Sequence, residues 1–562
     1  MQPFTPKPER HFAFIDQLYD YGAFLESAEA GIGRLPAEAA GARIGIVGAG
    51  ISGLVAAYEL LRAGASDVTL LEAEPGRIGG RAYTKAFCAE QPRFVAELGA
   101  MRFPPSEVGM FHYLRRFGIA TSSVFPDPGV VDTEIHYRGR GYAWAANQSP
   151  PALFQRVHRG WCAFLDEGAE LDNGVRLAAP HRLTALLADG RYEEARGEWQ
   201  RYLDSCGDLS FYSALVRIFC GERPPGGERW CKPDDFQLFG SLGIGSGGFQ
   251  PVFRASFIEI MRLVVNALET DQRLIPEGIS ALSGRLAAEV FDGQSVGERV
   301  RHARVNGVTR EGGAIRVQLD DGGALDFDRL IVTCTNRSMQ VNLKLSQGGH
   351  WFDADVRRAI NETHLVGSSK LFILTPRKFW LDHGLPHNIQ TDTLVKGVYC
   401  LDYQPDDPDG WGVVLISYTW EDDSHKLLAL AGKAARCRRL VEDLAVCNPE
   451  FARHLRPLND DYERHVQEYD WISDPNALGA FKLNYPGEDG YSRDLFFQFQ
   501  SAGRADDCGV YLAGCGSSFT GGWVEGAVQT GINSACAVIR SCGGELAAGN
   551  PLDEMRCRYD YR

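Results

Sequence analysis

A chain of 562 residues is too long for one hydrophobic core and calls for two domains or more. Its composition is 44% hydrophobic, 23% charged and 11% aromatic, which excludes a disordered or fibrous chain. The formal charge of -15, from 58 basic against 73 acidic residues, argues against nucleic acid or an anionic membrane as the main partner.

Residues 1–41 read as an arm that ends in the Ala/Gly-rich run Pro36 to Gly41, with no apolar leader of the secretory kind. Residues 42–48 are an apolar run that predicts a buried strand, 52–63 a helix, and 67–72 a second strand: a βαβ unit with short connections. Arg43 to Leu61 is the most apolar stretch of the chain, but its four glycines, with Ser52 and Glu59, suit a strand, a turn and a helix better than a membrane span. Helical periods dominate from about 150 to 220, and Glu222 to Glu228 predicts a loop. A helix is expected from about Arg254 to Leu268. Residues 298–335 return to strands separated by Gly-rich turns, closing on the apolar run Asp328 to Thr333. The last βα unit runs from Tyr511 through a glycine-rich loop to a helix over about 524–540.

The 14 cysteines lie between Cys88 and Cys557 without a CxxC pair, the usage of a reduced, cytoplasmic protein. His383 and His387 flank Gly-Leu-Pro, which breaks a helix, so they read as loop residues and no metal site is expected; a shared metal is the alternative.

Gly48-Ala-Gly50-Ile-Ser52-Gly53 stands between the first strand and the first helix. The first glycine permits a tight turn, the second admits a pyrophosphate close to the backbone, and the third lets helix and strand pack. The helix N-terminus then faces the anion. Glu72 ends the second strand, where a carboxylate binds a ribose diol and disfavours a 2′-phosphate. This pattern identifies a dinucleotide site without separating NAD from FAD.

Three further segments resemble the flavin amine oxidase family, the family of the L-amino-acid oxidases. They are Ile78-Gly79-Gly80-Arg81, Glu97-Leu-Gly99-Ala100-Met101-Arg102, and Leu512-Ala-Gly514 followed by Gly521-Gly-Trp523-Val524-Glu-Gly. The resemblance implies an α/β fold: a Rossmann-like FAD-binding domain with an inserted α+β substrate-binding domain. The expected division is 42–105, 280–335 and 505–545 for FAD, 106–279 and 336–504 for substrate, and 546–562 as a tail. It also implies non-covalent FAD on Gly48, Gly50, Ser52, Gly53, Glu72 and Ala73, on Gly79, Gly80 and Arg81, and on Gly99 to Arg102. Val305, Gly514, Cys515, Trp523 and Val524 complete that set. Cys515 departs from the pattern, since many members carry an acid there.

For substrate, the resemblance points to Arg102 for an amino-acid carboxylate, Lys370 for a water near the flavin, and the aromatic Trp471. Tyr418, Phe249, Val252 and Trp523 are the expected pocket walls. For each aromatic, plain core packing is the competing reading. Members that act on lysine place an acid after the Gly-Gly-aromatic turn; here Gly247-Gly-Phe249-Gln-Pro-Val252 has none, so an aromatic side chain suits the pocket better than an ammonium. Further likeness from about residue 13 to the end implies oxidative decarboxylation of L-tryptophan with O2 to indole-3-acetamide, CO2 and water, the first step of a route to the auxin indole-3-acetic acid. The alternatives are an oxidase releasing imino acid and H2O2, a monooxygenase of another aromatic amino acid, and a non-catalytic FAD-binding sensor. A homodimer without nucleic-acid or membrane partners is the expected assembly.

Overall fold

The computed structural model describes residues 13–122, 125–231, 233–243, 250–345 and 351–561. Five parallel strands form one sheet in the order Val300–His302, Val68–Glu72, Ile44–Val47, Arg329–Val332, Val510–Leu512. Every residue of Ile44–Val47 is buried, as a parallel sheet covered on both faces requires. These strands come from three distant stretches of chain. On that ground we propose 42–105, 280–335 and 505–545 as one cofactor-binding unit.

Two helices dominate one face of this sheet, Ile51–Arg62 and Val524–Ser541, both almost wholly buried. They cross closely because Gly531 carries no side chain: a Cβ there would lie 2.6 Å from the Ser52 carbonyl oxygen. A three-stranded antiparallel sheet, Val305–Glu311, Ala314–Leu319 and Ala324–Phe327, stands beside the main one.

A second large sheet has seven strands, in the order Val466–Asp470, Ser368–Thr375, Gly412–Trp420, Gly397–Leu401, Asn388–Thr391, Thr133–Tyr137, Arg140–Trp144. All neighbours are antiparallel except Asn388–Thr391 with Thr133–Tyr137. Ser368–Thr375 is buried along its whole length. Helices between 155 and 265 pack around an aromatic core that includes Trp161, Phe211, Phe219, Trp230 and Phe239.

Several local expectations need adjustment. The helix expected over 254–268 is Phe257–Val265, because Ser256 caps it, accepting from Ile258 N, and the chain turns at Asn266. Pro225–Gly227 forms a 3-10 turn inside the loop expected at 222–228. His383 ends the short helix Phe379–His383 rather than lying in a loop, and its ring stacks on His454. The segment 13–35 is woven into the core: Tyr21 Oη donates to Asn533, and Gly33–Arg34 pairs with Glu545–Leu546. Among the described residues no group of three or more His, Cys, Asp or Glu is placed to hold a metal ion, and no helix is long and apolar enough to cross a membrane.

Candidate active site

One continuous cavity runs from the tip of the parallel sheet into the seven-stranded sheet. Its outer end is lined by Glu72, Ala73 and Val305, its middle by Gly48, Gly50, Ser52, Gly79, Gly80 and Arg81, and its inner end by Arg102, Lys370, Tyr418, Trp471 and Trp523. Gly99, Ala100, Met101, Val252, Gly514, Cys515 and Val524 also face it. Two site residues expected from the sequence are not on its wall. Gly53 lies behind it, where a Cβ would collide with the Gly48 carbonyl oxygen, so its role is packing. Phe249 lies outside the described residues.

The glycines of the first turn have separate causes. Gly48 adopts φ +104 and abuts Thr333 Oγ1, a backbone only glycine takes readily. Gly50 has an ordinary φ of -72, and a Cβ there would meet nothing closer than Gly80 Cα at 3.9 Å. The protein itself therefore does not need glycine at 50; the vacant space faces the cavity. With the N-terminus of Ile51–Arg62 beside it, this space fits a dinucleotide pyrophosphate.

Glu72 is buried and accepts from Ala49 N at 2.8 Å and Glu74 N at 2.9 Å. Those contacts fix the carboxylate at the strand tip while its remaining lone pairs face the cavity. Ser52 Oγ accepts from Gly514 N at 3.1 Å, tying the first turn to the last one.

At the inner end, Lys370 sits mid-strand between Tyr418 and Tyr469 on the neighbouring strands. Its Nζ donates to the carbonyls of Glu97 (3.2 Å) and Gly99 (2.6 Å) and lies 4.8 Å from the Tyr418 ring centre. Burial pulls its pKa down to about 7, with Glu97 opposing and Arg102 reinforcing the shift. Burial likewise pushes the Glu97 carboxyl up to about 7. Trp471 Nε1 donates to Leu98 O at 2.8 Å, so Trp471 and Lys370 both clamp the 97–99 backbone.

Arg102 Nη2 lies 3.3 Å from Glu269 Oε2, and its guanidinium carbon is 5.3 Å from the Trp523 ring centre and 5.8 Å from that of Phe125. Its buried Nη1 has no hydrogen-bond partner. A buried guanidinium with a donor to spare can pair with a carboxylate by a charge-assisted hydrogen bond. Sequence reasoning missed Glu269, Glu97 and Trp420. Glu97 stood within a recognised motif, but a lone acid at 269 carried no local signal.

Trp523 precedes the helix Val524–Ser541, whose first turn faces the cavity. Glu107 accepts from Glu525 N at 2.8 Å, and Glu525 in turn accepts from Gly109 N and Met110 N. Burial, reinforced by the nearby Glu525, pushes the Glu107 carboxyl well above its usual range. Val252, Trp420 and Leu483 separate this cavity from a second, charged one lined by Arg254, Lys396, Glu421 and Asp423.

The family described as flavin containing amine oxidoreductase matches residues 51–539. A tryptophan 2-monooxygenase of Pseudomonas savastanoi is 57% identical over 550 residues, 97% of this chain and 98% of that one. Another, from Pantoea agglomerans pv. gypsophilae, is 55% identical over the full length of both. Among solved structures, a putrescine oxidase variant shares the fold with a TM-score of 0.64 at 17% identity, covering 89% of this chain and 98% of its own. The chain belongs to the flavin-containing amine oxidoreductase family, and its cofactor is FAD.

Proposed function

We propose that the protein catalyses oxidative decarboxylation of L-tryptophan by O2 to indole-3-acetamide, CO2 and water. The observation that carries this reading is Arg102, buried with one nitrogen unpartnered among the aromatic rings at the inner end of the FAD cavity. The names of relatives 57% and 55% identical support the same substrate. In the balanced reaction one oxygen atom of O2 ends in the amide and the other in water, while the carboxyl group leaves as CO2.

FAD, when bound, supplies the two-electron acceptor and the place where O2 is reduced. The chain's own part is positioning. Arg102 offers Nη1 to the substrate carboxylate. Trp471, Tyr418 and Trp523 wall the indole, and Val252 leaves that wall apolar. Lys370, held by two carbonyls, keeps a water against the cavity wall. The N-terminus of Val524–Ser541 favours negative charge nearby. All 14 cysteines are free, which supports a reducing, cytoplasmic setting.

Mass spectrometry of the products of aerobic turnover with L-tryptophan tests the proposal. Indole-3-acetamide with CO2 is expected. Indole-3-pyruvate with hydrogen peroxide would instead make the protein an oxidase.

A further inference from the structure

Beyond the helix Phe257–Val265 the chain makes a tight excursion with two non-glycine residues in the left-handed region, Ala267 at φ 53 and Asp271 at φ 56. Such conformations persist only where surrounding contacts impose them. Here the contacts are dense: Leu268 N donates to Leu263 O, Thr270 Oγ1 to Ala267 O, and Gln272 Nε2 to Leu268 O. Phe103 and Arg273 then exchange backbone hydrogen bonds of 3.1 and 2.8 Å. The turn is thus pinned to the residue next to Arg102, and Glu269 at its crest faces both Arg102 and the cavity.

The arrangement sets one anion and one cation side by side on the wall of a pocket that takes an amino acid. An α-amino acid carries its carboxylate and ammonium on a single carbon, so the buried pair is its electrostatic complement. The geometry points to Glu269 as the group that holds the substrate α-ammonium while Arg102 holds the carboxylate, so that the site selects the zwitterion over indole carboxylates lacking the amine. Glu269 also pairs with Arg102, at 3.3 Å. A ligand with only a carboxylate meets Arg102 and is repelled by Glu269. A ligand with both charges satisfies the pair, so discrimination comes from repulsion as much as from attraction. Asp127 is a second buried acid whose charge interacts with Arg102, but it does not line the cavity.

This inference rests on the reading of the cavity as a tryptophan site. The test uses the FAD-loaded enzyme and two ligands, L-tryptophan and indole-3-propionate, which differ in the amine. The tryptophan dissociation constant is taken from the concentration dependence of anaerobic flavin bleaching, and that of indole-3-propionate from its inhibition constant. Glu269→Gln is expected to cut the preference for tryptophan on the order of tenfold, by weakening tryptophan and tightening indole-3-propionate. Glu269→Asp keeps the charge but retracts it, and is expected to cut the preference less; it carries the test if the Gln variant does not fold. Asp127→Asn is expected to leave the ratio within about twofold. An unchanged ratio in both Glu269 variants, or an equal change in Asp127→Asn, overturns the role of Glu269. A wild-type enzyme that does not turn over tryptophan overturns the substrate assignment instead.

Discussion

Replacing Arg102 by alanine removes an ion pair with Glu269 and two ring contacts, with Trp523 and Phe125. Truncating one partner of a buried charge pair costs about 2–5 kcal/mol in binding. At about 1.4 kcal/mol per tenfold, affinity for carboxylate ligands should fall by roughly thirtyfold to several thousandfold. Tryptophan and indole-3-pyruvate share the carboxylate and should both weaken. Tryptamine lacks it and should weaken little, so the variant discriminates less between amino acid and amine. Flavin content and spectrum should stay near wild type, since Arg102 makes no contact with the cradle at Gly48–Gly50. Anaerobic titration of the two proteins with the three ligands is the assay. Unchanged affinity for indole-3-pyruvate would refute the assignment of Arg102 as carboxylate anchor.

Gly50→Ala should fold yet hold little FAD, because its Cβ makes only ordinary contacts with Gly80 Cα at 3.9 Å and Gly79 O at 4.0 Å and otherwise occupies the cradle; Gly53→Ala should lose soluble protein, because its Cβ strikes Gly48. Circular dichroism with flavin absorbance separates the two, and a fully yellow Gly50→Ala protein would count against the cradle. Glu97→Gln should gain stability over wild type as pH rises. The folded-state pKa of Glu97 is raised from 4.5 to about 7, so the cost of ionising it is absent below 4.5 and complete above about 7. The gain should grow between pH 5 and 8 toward about 3 kcal/mol, at about 1.4 kcal/mol per pKa unit. Thermal unfolding across that range would show it, and a pH-independent difference would exclude it. Aromatic L-amino acids should bleach the flavin faster than L-lysine does, since Val252 is buried on the cavity wall and offers an ammonium no partner. Stopped-flow comparison decides this; faster bleaching by lysine would reverse the specificity argument.

What the sequence alone determined rests on short-range rules. A glycine turn between an apolar strand and a helix, with Glu72 at the end of the next strand, specifies a dinucleotide cradle because sterics and hydrogen bonding within some thirty residues decide it. Of the site residues expected from the sequence, all but two line the cavity: Gly53 packs helix against strand, as expected of the third glycine of its turn, and Phe249 lies outside the described residues. Helix ends shifted by a few residues where a cap such as Ser256 intervened.

Only the tertiary structure decided which charges are buried and with whom. Lys370 is depressed to about 7 because its strand is paired on both sides and fully buried, a property of the neighbouring strands that carry Tyr418 and Tyr469. Arg262 is buried between Asp16 and Asp489, at 2.7 and 2.6 Å, and this joins the N-terminal segment to the helices Phe257–Val265 and Asp489–Phe496, hundreds of residues away. Glu269 faces Arg102 because a strained turn is bridged to Phe103, 170 positions earlier than Arg273 in the chain. A buried charge is tolerable only when its partner is supplied, and in a fold assembled from distant stretches that partner leaves no mark on the local sequence.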